Sequence, residues 1–352
     1  MIDRRITQRV ALIATRPGPA ISPDEAAKTV ADLRAASRRA VGLVADVTGL
    51  TEAAERAAAA PVFVIDRPAF IRANVQMLDE MMGDIPEVAI LPGERRSTST
   101  GAGLALAVMA SRVLGQFDPF IGLSDDDVPS FPPHPTATPS RGRLLLVAPN
   151  VVDIERGMNV KPSDFRLWVG LHEMTHAVQF AAAPWLGDHL SDLCRQLAIE
   201  ESAPGEAQDM VRLVRAVVRT IRGESGANLA TEAMPDSARA VMEQVTAVMS
   251  LLEGHADVVM DAVGPQVIPT LATIRARFEA RRRGRSSLDR LIRRLAGLDA
   301  KRDQYVGGAA FVRGVLEVVG HEGLAQAFVS KENLPTVAEI ADPLAWATRV
   351  IG

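Results

Sequence analysis

The fold of this chain is decided at Leu171-His172-Glu173-Met174-Thr175-His176-Ala177-Val178-Gln179-Phe180, where the pattern H-E-x-x-H lies inside an apolar run. On an α-helix, residues four apart are about 40° apart around the axis and about 6 Å apart along it. Both imidazoles therefore project from one face and can reach a single metal ion. The apolar neighbours are typical of a buried helix, which carries bare polar groups only where they have partners. The pattern predicts a metal-binding helix, with two surface histidines on an ordinary helix as the alternative.

The third metal ligand has to come from elsewhere in the chain, because a catalytic zinc ion takes three protein ligands and keeps one position for water. The best candidate lies in a second helix-like run at residues 251–257, Leu-Leu-Glu-Gly-His-Ala-Asp. Glu253 and Asp257 share a helix face, so Glu253 can ligate the metal while Asp257 orients a ligand imidazole. His255 is about 200° around the helix from Glu253, which makes it a rival ligand and not a fourth one. We prefer Glu253 to His255, because only that choice gives Asp257 a role. The alternative to a metal site is a helix with a solvated stripe of acidic residues.

These residues carry a family resemblance. H-E-x-x-H followed by E-x-x-x-D resembles the glutamate-type zincin metallopeptidases. More of the chain resembles a narrower group, the zinc-dependent hydrolases associated with deazaflavin-coenzyme biosynthesis. The matching segments are residues 65–68, 72–74, 145–150, 164–168, 252–257, 298–301, 304–305 and 341–343. The resemblance implies a hydrolase with a zincin-like α+β fold, predominantly helical with a small sheet, and it names no substrate.

These residues predict that the protein is a metal-dependent hydrolase that cleaves an amide or peptide bond. His172, His176 and Glu253 would hold Zn²⁺, and Glu173 would take a proton from the attacking water and pass it to the leaving amine. The developing oxyanion needs a further donor. Tyr305, the single tyrosine, is the candidate, and a core tyrosine with a satisfied hydroxyl is the alternative. The competing function is a non-catalytic zinc-binding partner protein in a coenzyme pathway.

The composition narrows the function classes. The 352 residues are 47% hydrophobic and 23% charged, as in ordinary soluble globular proteins. Aromatic residues make up 4%, while alanine, leucine, valine and arginine dominate, so helix should outweigh sheet. The net charge of −4 argues against a general nucleic-acid binder. We expect a peptide or small amide substrate, with no nucleic-acid or membrane partner.

The cysteine usage and the apolar pattern indicate a cytoplasmic protein. The single cysteine, Cys194, excludes an internal disulfide and fits a reducing compartment, where we expect a buried thiol. The first residues are not followed by the apolar core of a signal peptide. Uncharged apolar runs are too short to span a bilayer.

The pattern of predicted elements along the chain suggests three regions. These are an N-terminal region of helices and strands at 1–122, a loop or linker at 123–142, and a zincin-like catalytic region at 143–352. The alternative is one continuous domain. Strands are predicted at 61–65 and 143–148. Helices are predicted at 23–48, 68–82, 163–182, 190–197, 206–222 and 237–263. By resemblance, strand 143–148 is the sheet edge that a bound peptide extends. A buried central strand is the alternative.

Nine arginines lie between positions 275 and 294. Such a run can bind phosphate or nucleic acid. We interpret it as the solvated face of a helix, because Phe278 is the only aromatic residue interleaved with it.

Overall fold

The structure, a computed structural model, describes residues 3–82, 92–122, 141–200, 236–285 and 307–352. Most of these residues are helical, and three strands form one small sheet. The prediction of a predominantly helical α+β fold with a small sheet is therefore confirmed.

The sheet has the strand order β1-β3-β2, where β1 is Val62–Ile65, β2 is Gly115–Gly122 and β3 is Arg141–Val147. β1 runs parallel to β3, with Val62 opposite Leu144. β2 runs antiparallel to β3, with Gly115 opposite Leu146. Strands of the predicted N-terminal region thus pair with a strand of the predicted catalytic region, while the three-region division stays a prediction.

The assignment of strand 143–148 to the sheet edge is wrong, because β3 has a strand on each side. Its successive residues Leu144, Leu145 and Leu146 are all buried, so both faces of the strand are covered. A continuous apolar run of this kind is typical of a central strand. Among the described strands, the edge on the antiparallel side is β2, a strand that the sequence reading missed.

β2 has a poor strand sequence, Gly-Gln-Phe-Asp-Pro-Phe-Ile-Gly, and tertiary contacts explain why it forms. Asp118 lies opposite Arg143 in the β2–β3 ladder, and the two buried side chains form an ion pair at 3.1 Å. Burial raises the pKa of Asp118 and lowers that of Arg143. Pro119 is tolerated because proline can occupy an edge strand.

The helices of the described residues follow in chain order. They are α1 (Arg4–Ala14), α2 (Pro23–Thr48), α3 (Thr51–Ala58), α4 (Arg67–Met82), α5 (Pro92–Ala110), α6 (Ala148–Met158), α7 (Pro162–Ala182), α8 (Leu186–Glu200), α9 (Asp236–Ala262), α10 (Gly264–Val267), α11 (Leu271–Arg285), α12 (Gly308–Ala325), α13 (Val337–Ile340) and α14 (Pro343–Ile351). Short 3₁₀ turns at Gln326–Phe328 and Lys331–Asn333 join α12 to α13.

The sequence signals for individual helices agree with these bounds within a few residues. Ser22 caps α2 by accepting a hydrogen bond from the Glu25 amide at 3.1 Å, and Pro23 is the first helical residue. The helix ends at Gly49, whose φ of 73° lies in the left-handed region that glycine adopts without strain. The predicted helix at 206–222 lies outside the described residues.

The helix that carries the H-E-x-x-H motif, α7, is enclosed by the rest of the fold. It packs against α2, α3 and α9 and against the sheet through β2 and β3. Its side chains are buried on nearly all sides, including several polar ones such as Glu173 and Gln179. Within the described residues, no helix combines the length and apolar character needed to cross a membrane.

Candidate metal centre

Two consecutive turns of α7 and one turn of α9 bring His172, His176 and Glu253 together. The Nε2 atoms of the two histidines are 3.2 Å apart. The Glu253 carboxylate lies 3.6 Å from His172 Nε2 through Oε2, and 3.5 Å from His176 Nε2 through Oε1. One ligand atom from each residue falls within 4.8 Å of the others. The predicted ligand set is thus assembled from two helices, with 76 residues between His176 and Glu253 in the sequence.

The donor atoms suit a tetrahedral zinc ion. Zinc binds imidazole nitrogen and carboxylate oxygen at about 2.0–2.2 Å, so two ligand atoms at tetrahedral angles lie about 3.3–3.6 Å apart. The 3.2 Å between the two Nε2 atoms is close to this spacing, and each carboxylate oxygen of Glu253 lies at such a distance from one histidine, Oε2 at 3.6 Å from His172 and Oε1 at 3.5 Å from His176. Burial, together with the neighbouring His176, lowers the pKa of His172 to about 4. The imidazole is therefore neutral at pH 7, which is the form that binds a metal.

Glu173 lies next to this ligand set and is 5% exposed. Burial, and then the charge of Glu253, raise the pKa of the Glu173 carboxyl well above its ordinary range. A carboxyl group with a raised pKa is suited to exchanging protons near neutral pH. The position agrees with the general-base role that the motif predicts, and that role stays a prediction.

Gly115 at the start of β2 makes room for Glu173. A Cβ atom on Gly115 would lie 2.7 Å from both Cγ and Cδ of Glu173 and 2.8 Å from its Oε1. Any side chain at this position would have to displace the carboxylate or the strand. The sequence reading missed Gly115, because only the docking of β2 on α7 brings the two residues together.

Asp257, the predicted orienting residue, is bound to an arginine. Its Oδ1 accepts a hydrogen bond from Arg275 at 3.1 Å, and its backbone oxygen accepts another at 2.6 Å. Arg275 also donates to Asp261 at 2.6 Å and lies over the ring of Trp168. The charge of Asp257 still reaches His172, where it offsets part of the lowering of the pKa that burial causes. The orienting role of Asp257 stays a prediction.

Arg275 is an exception to the interpretation of the arginine run as a solvated helix face. Its side chain is 17% exposed and is held by two aspartates. The neighbouring Arg277 donates to the backbone oxygen of Met158 at 2.7 Å. The arginines beyond position 285 lie outside the described residues.

Gln179, which the sequence reading did not single out, contacts the Nδ1 side of the His176 imidazole. The Gln179 side chain is fully buried, and its Oε1 lies 2.9 Å from His176 Nδ1. Its Nε2 lies 2.9 Å from the Leu252 carbonyl oxygen and 3.1 Å from His255 Nδ1. The sequence does contain a signal for this contact, because Gln179 is three residues after His176 and falls on the same face of the helix.

His255, the rival ligand, lies in the packed interior behind the ligand set. It is 2% exposed, contacts the Phe328 ring at a centroid distance of 5.8 Å, and bonds to Gln179. Burial, with smaller contributions from His321 and His176, lowers the pKa of His255 to about 3, so the ring is neutral. Glu253, and not His255, is the α9 residue whose side chain approaches both histidines.

Two residues named in the sequence analysis remain, Tyr305 and Cys194. Tyr305, the predicted oxyanion donor, lies outside the described residues, and its role stays a prediction. Cys194 on α8 is a free, half-buried thiol, and burial raises its pKa, which agrees with an inert cysteine.

Comparisons with known proteins give a matching family and a similar solved structure. A family model described as Zincin-like metallopeptidase matches residues 2–347. A search of curated proteins found no match. A crystal structure from Chloroflexus aurantiacus, described as “a putative hydrolase with a novel fold”, is similar over 99% of this chain and 98% of that chain. The two share 27% sequence identity with a TM-score of 0.66.

Proposed function

Because the chain belongs to the zincin-like metallopeptidase family, we propose that it is a zinc-dependent hydrolase that cleaves amide bonds in peptides or small amides. The observation that carries the proposal is the assembly of His172, His176 and Glu253 around one point, with the Glu173 carboxyl beside them. The similarity to a structure described as a hydrolase agrees with this class of reaction.

The donor set favours a catalytic over a structural zinc site. Two imidazoles and one carboxylate form the His₂Glu set found in zinc peptidases, whereas structural sites favour four ligands rich in cysteine. When bound, zinc supplies a Lewis acid that polarises a carbonyl oxygen and lowers the pKa of water. Glu253 is the most exposed of the three ligands, with 49% of its side chain accessible, so the site faces solvent on the α9 side.

Glu173 has the position of a general acid–base. Its carboxylate would accept a proton from water as the water attacks the substrate carbonyl, and the resulting acid would then protonate the leaving amine. This carboxyl is buried, and Gly115 leaves room for it beside the strand. Tyr305 remains the candidate for an additional donor to the oxyanion.

β2 offers a surface along which a peptide substrate could bind. It lies at the edge of the sheet formed by the described strands, and it begins at Gly115, in contact with Glu173. A peptide that adds to such an edge gains main-chain hydrogen bonds without a requirement for particular side chains. This arrangement supports a peptide over a compact small molecule as the substrate class.

The test is hydrolysis of a broad peptide and amide library by zinc-loaded protein, by the same protein after chelation, and after zinc is restored. A hydrolase should cleave at least one substrate class in the first and third samples only. If the zinc-loaded protein turns over none of the library, the alternative function gains support: a non-catalytic zinc-binding partner in coenzyme biosynthesis, as the resemblance to deazaflavin-associated proteins suggests.

A further inference from the structure

One buried amide joins the two helices that carry the metal ligands. Gln179 is on α7, three residues after His176, and its Nε2 atom is 2.9 Å from the carbonyl oxygen of Leu252 on α9. Leu252 immediately precedes Glu253. The same Nε2 atom is 3.1 Å from His255 Nδ1, two residues after Glu253. The amide therefore contacts α9 at the residue just before Glu253 and at the residue two positions after it.

The orientation of this amide follows from hydrogen-bond chemistry. A backbone carbonyl oxygen can only accept a hydrogen bond, so the group of Gln179 that faces Leu252 has to be the NH₂ group. The other end of the amide, Oε1, then faces His176 Nδ1 at 2.9 Å. An amide oxygen is also only an acceptor, so His176 Nδ1 must carry the proton.

The tautomers of two histidines are determined in consequence. With its proton on Nδ1, neutral His176 has a free lone pair on Nε2, the atom that faces His172 and Glu253. The second hydrogen of the Gln179 NH₂ group is directed at His255 Nδ1, which must accept it and therefore carries its own proton on Nε2. All three hydrogen-bonding atoms of the buried amide, one oxygen and two N–H hydrogens, then have partners.

We infer that Gln179 is a positioning residue of the metal centre, which holds His176 in the tautomer that presents Nε2 to the metal, and that His255 acts through Gln179 by holding its amide in place. This inference rests on the proposed zinc site. It assigns to His255 a role other than ligation, and it places the orienting group of a ligand imidazole at Gln179 on the motif helix itself.

The first experiment measures zinc affinity by competition with a chromophoric chelator. Gln179→Leu should weaken zinc binding by about 10–100-fold, as is typical when an outer partner of a ligating histidine is removed. Thr175→Val is the matched control, because Thr175 is equally buried on α7 but its hydroxyl donates within the helix, to Leu171 O at 2.7 Å. This control should keep the wild-type affinity. Equal losses in Gln179→Leu and Thr175→Val, or no loss in Gln179→Leu, would overturn the inference.

A double-mutant cycle tests whether His255 acts through Gln179. His255→Phe keeps an aromatic ring against Phe328 but removes the Nδ1 acceptor. It should weaken zinc binding in the wild-type background and have little further effect in Gln179→Leu, because residues that act as one unit are not additive. Fully additive losses would show that the two side chains act independently and would overturn the second half of the inference.

A spectroscopic measurement needs no substitution at Gln179 and remains decisive if that variant does not fold. Long-range ¹H–¹⁵N spectra of zinc-loaded protein labelled at its six histidines should show His176 protonated at Nδ1 and metal-bound at Nε2. Metal binding through His176 Nδ1 would overturn the inference while leaving the proposed function intact. If wild-type protein binds no zinc, both the proposed function and this inference are wrong.

Discussion

Gly254 of α9 and Gly308 of α12 touch through their backbones, immediately beside Glu253, the proposed carboxylate ligand. A Cβ atom on Gly254 would lie 2.1 Å from the carbonyl carbon of Gly308, and one on Gly308 would lie 1.9 Å from the backbone oxygen of Ser250. Two helices can approach this closely only where both lack side chains. The contact fixes the position of α9 at the turn that carries Glu253.

Gly254→Ala is therefore expected to separate the two helices. We expect a loss of about 1–3 kcal/mol in the free energy of unfolding, typical of overpacking in a core, with weaker zinc binding because Glu253 moves. The control is Gly42→Ala on an exposed face of α2, where a Cβ meets nothing within 4 Å. That variant should be more stable by about 0.5–1 kcal/mol. Chemical denaturation measures both, and a neutral Gly254→Ala would contradict the close contact.

The ligand set predicts which side chains retain zinc. His172→Ala, His176→Ala and Glu253→Ala should each lose the metal after dialysis, because each removes one of the three donors. Glu243→Ala changes an exposed carboxylate of the same helix, α9, and should keep it. Metal analysis of the dialysed proteins decides the matter. Full zinc occupancy in any of the three ligand variants would remove that residue from the site.

Glu173→Gln separates catalysis from metal binding. The amide has the shape of the carboxylic acid but cannot accept a proton from water, so we expect normal zinc content and stability. Turnover of a substrate found in the library should fall by about 10²–10⁴-fold, the usual contribution of a general acid–base. Wild-type turnover in this variant would show that another group takes the proton.

Gly115→Ala tests the space that β2 leaves for Glu173. Since the added methyl would lie 2.7 Å from the carboxyl carbon, it should displace Glu173 while the three ligands stay in place. We expect unchanged zinc content and a fall in kcat of about 10²-fold, as for a comparable misplacement of a catalytic group. Gly187→Ala is the matched control, because its Cβ would be 3.8 Å from its nearest neighbour. Equal kcat values in the two variants would contradict the proposal that Glu173 is positioned by the strand.

The buried carboxylate of Asp164, at the start of α7, should make stability depend on pH. Burial alone would raise the pKa of Asp164, but hydrogen bonds from Thr270 and Lys161 outweigh it and lower the pKa. A group whose pKa is lower in the folded state stabilises the fold above its unfolded pKa, and this stabilisation is lost as the pH falls through the folded value.

Asp164→Ala should therefore be less stable than wild type at pH 7 by about 1–3 kcal/mol. The difference should shrink below about pH 4, where the unfolded carboxylate begins to be protonated. Urea denaturation at several pH values measures it. A difference that does not change with pH would mean that the charge of Asp164 contributes nothing to stability.

The sequence by itself determined the features that depend on local geometry. The spacing of His172 and His176 places two imidazoles on one face of any helix, and the cap at Ser22 defines where α2 begins. The apolar run around the motif predicts a buried helix, and α7 is buried. These inferences succeed because hydrogen bonding within a helix fixes the relative positions of residues three and four apart.

The tertiary structure alone decided which strand forms the sheet edge and which side chains contact the proposed metal ligands. β2 has glycine, aspartate and proline in a short run, and it becomes a strand only by pairing with β3 through contacts such as Asp118 with Arg143. Gln179 contacts the neighbours of Glu253 only because α7 and α9, far apart in the sequence, pack side by side. Such contacts depend on how distant segments dock, which the periodicity of one segment does not encode.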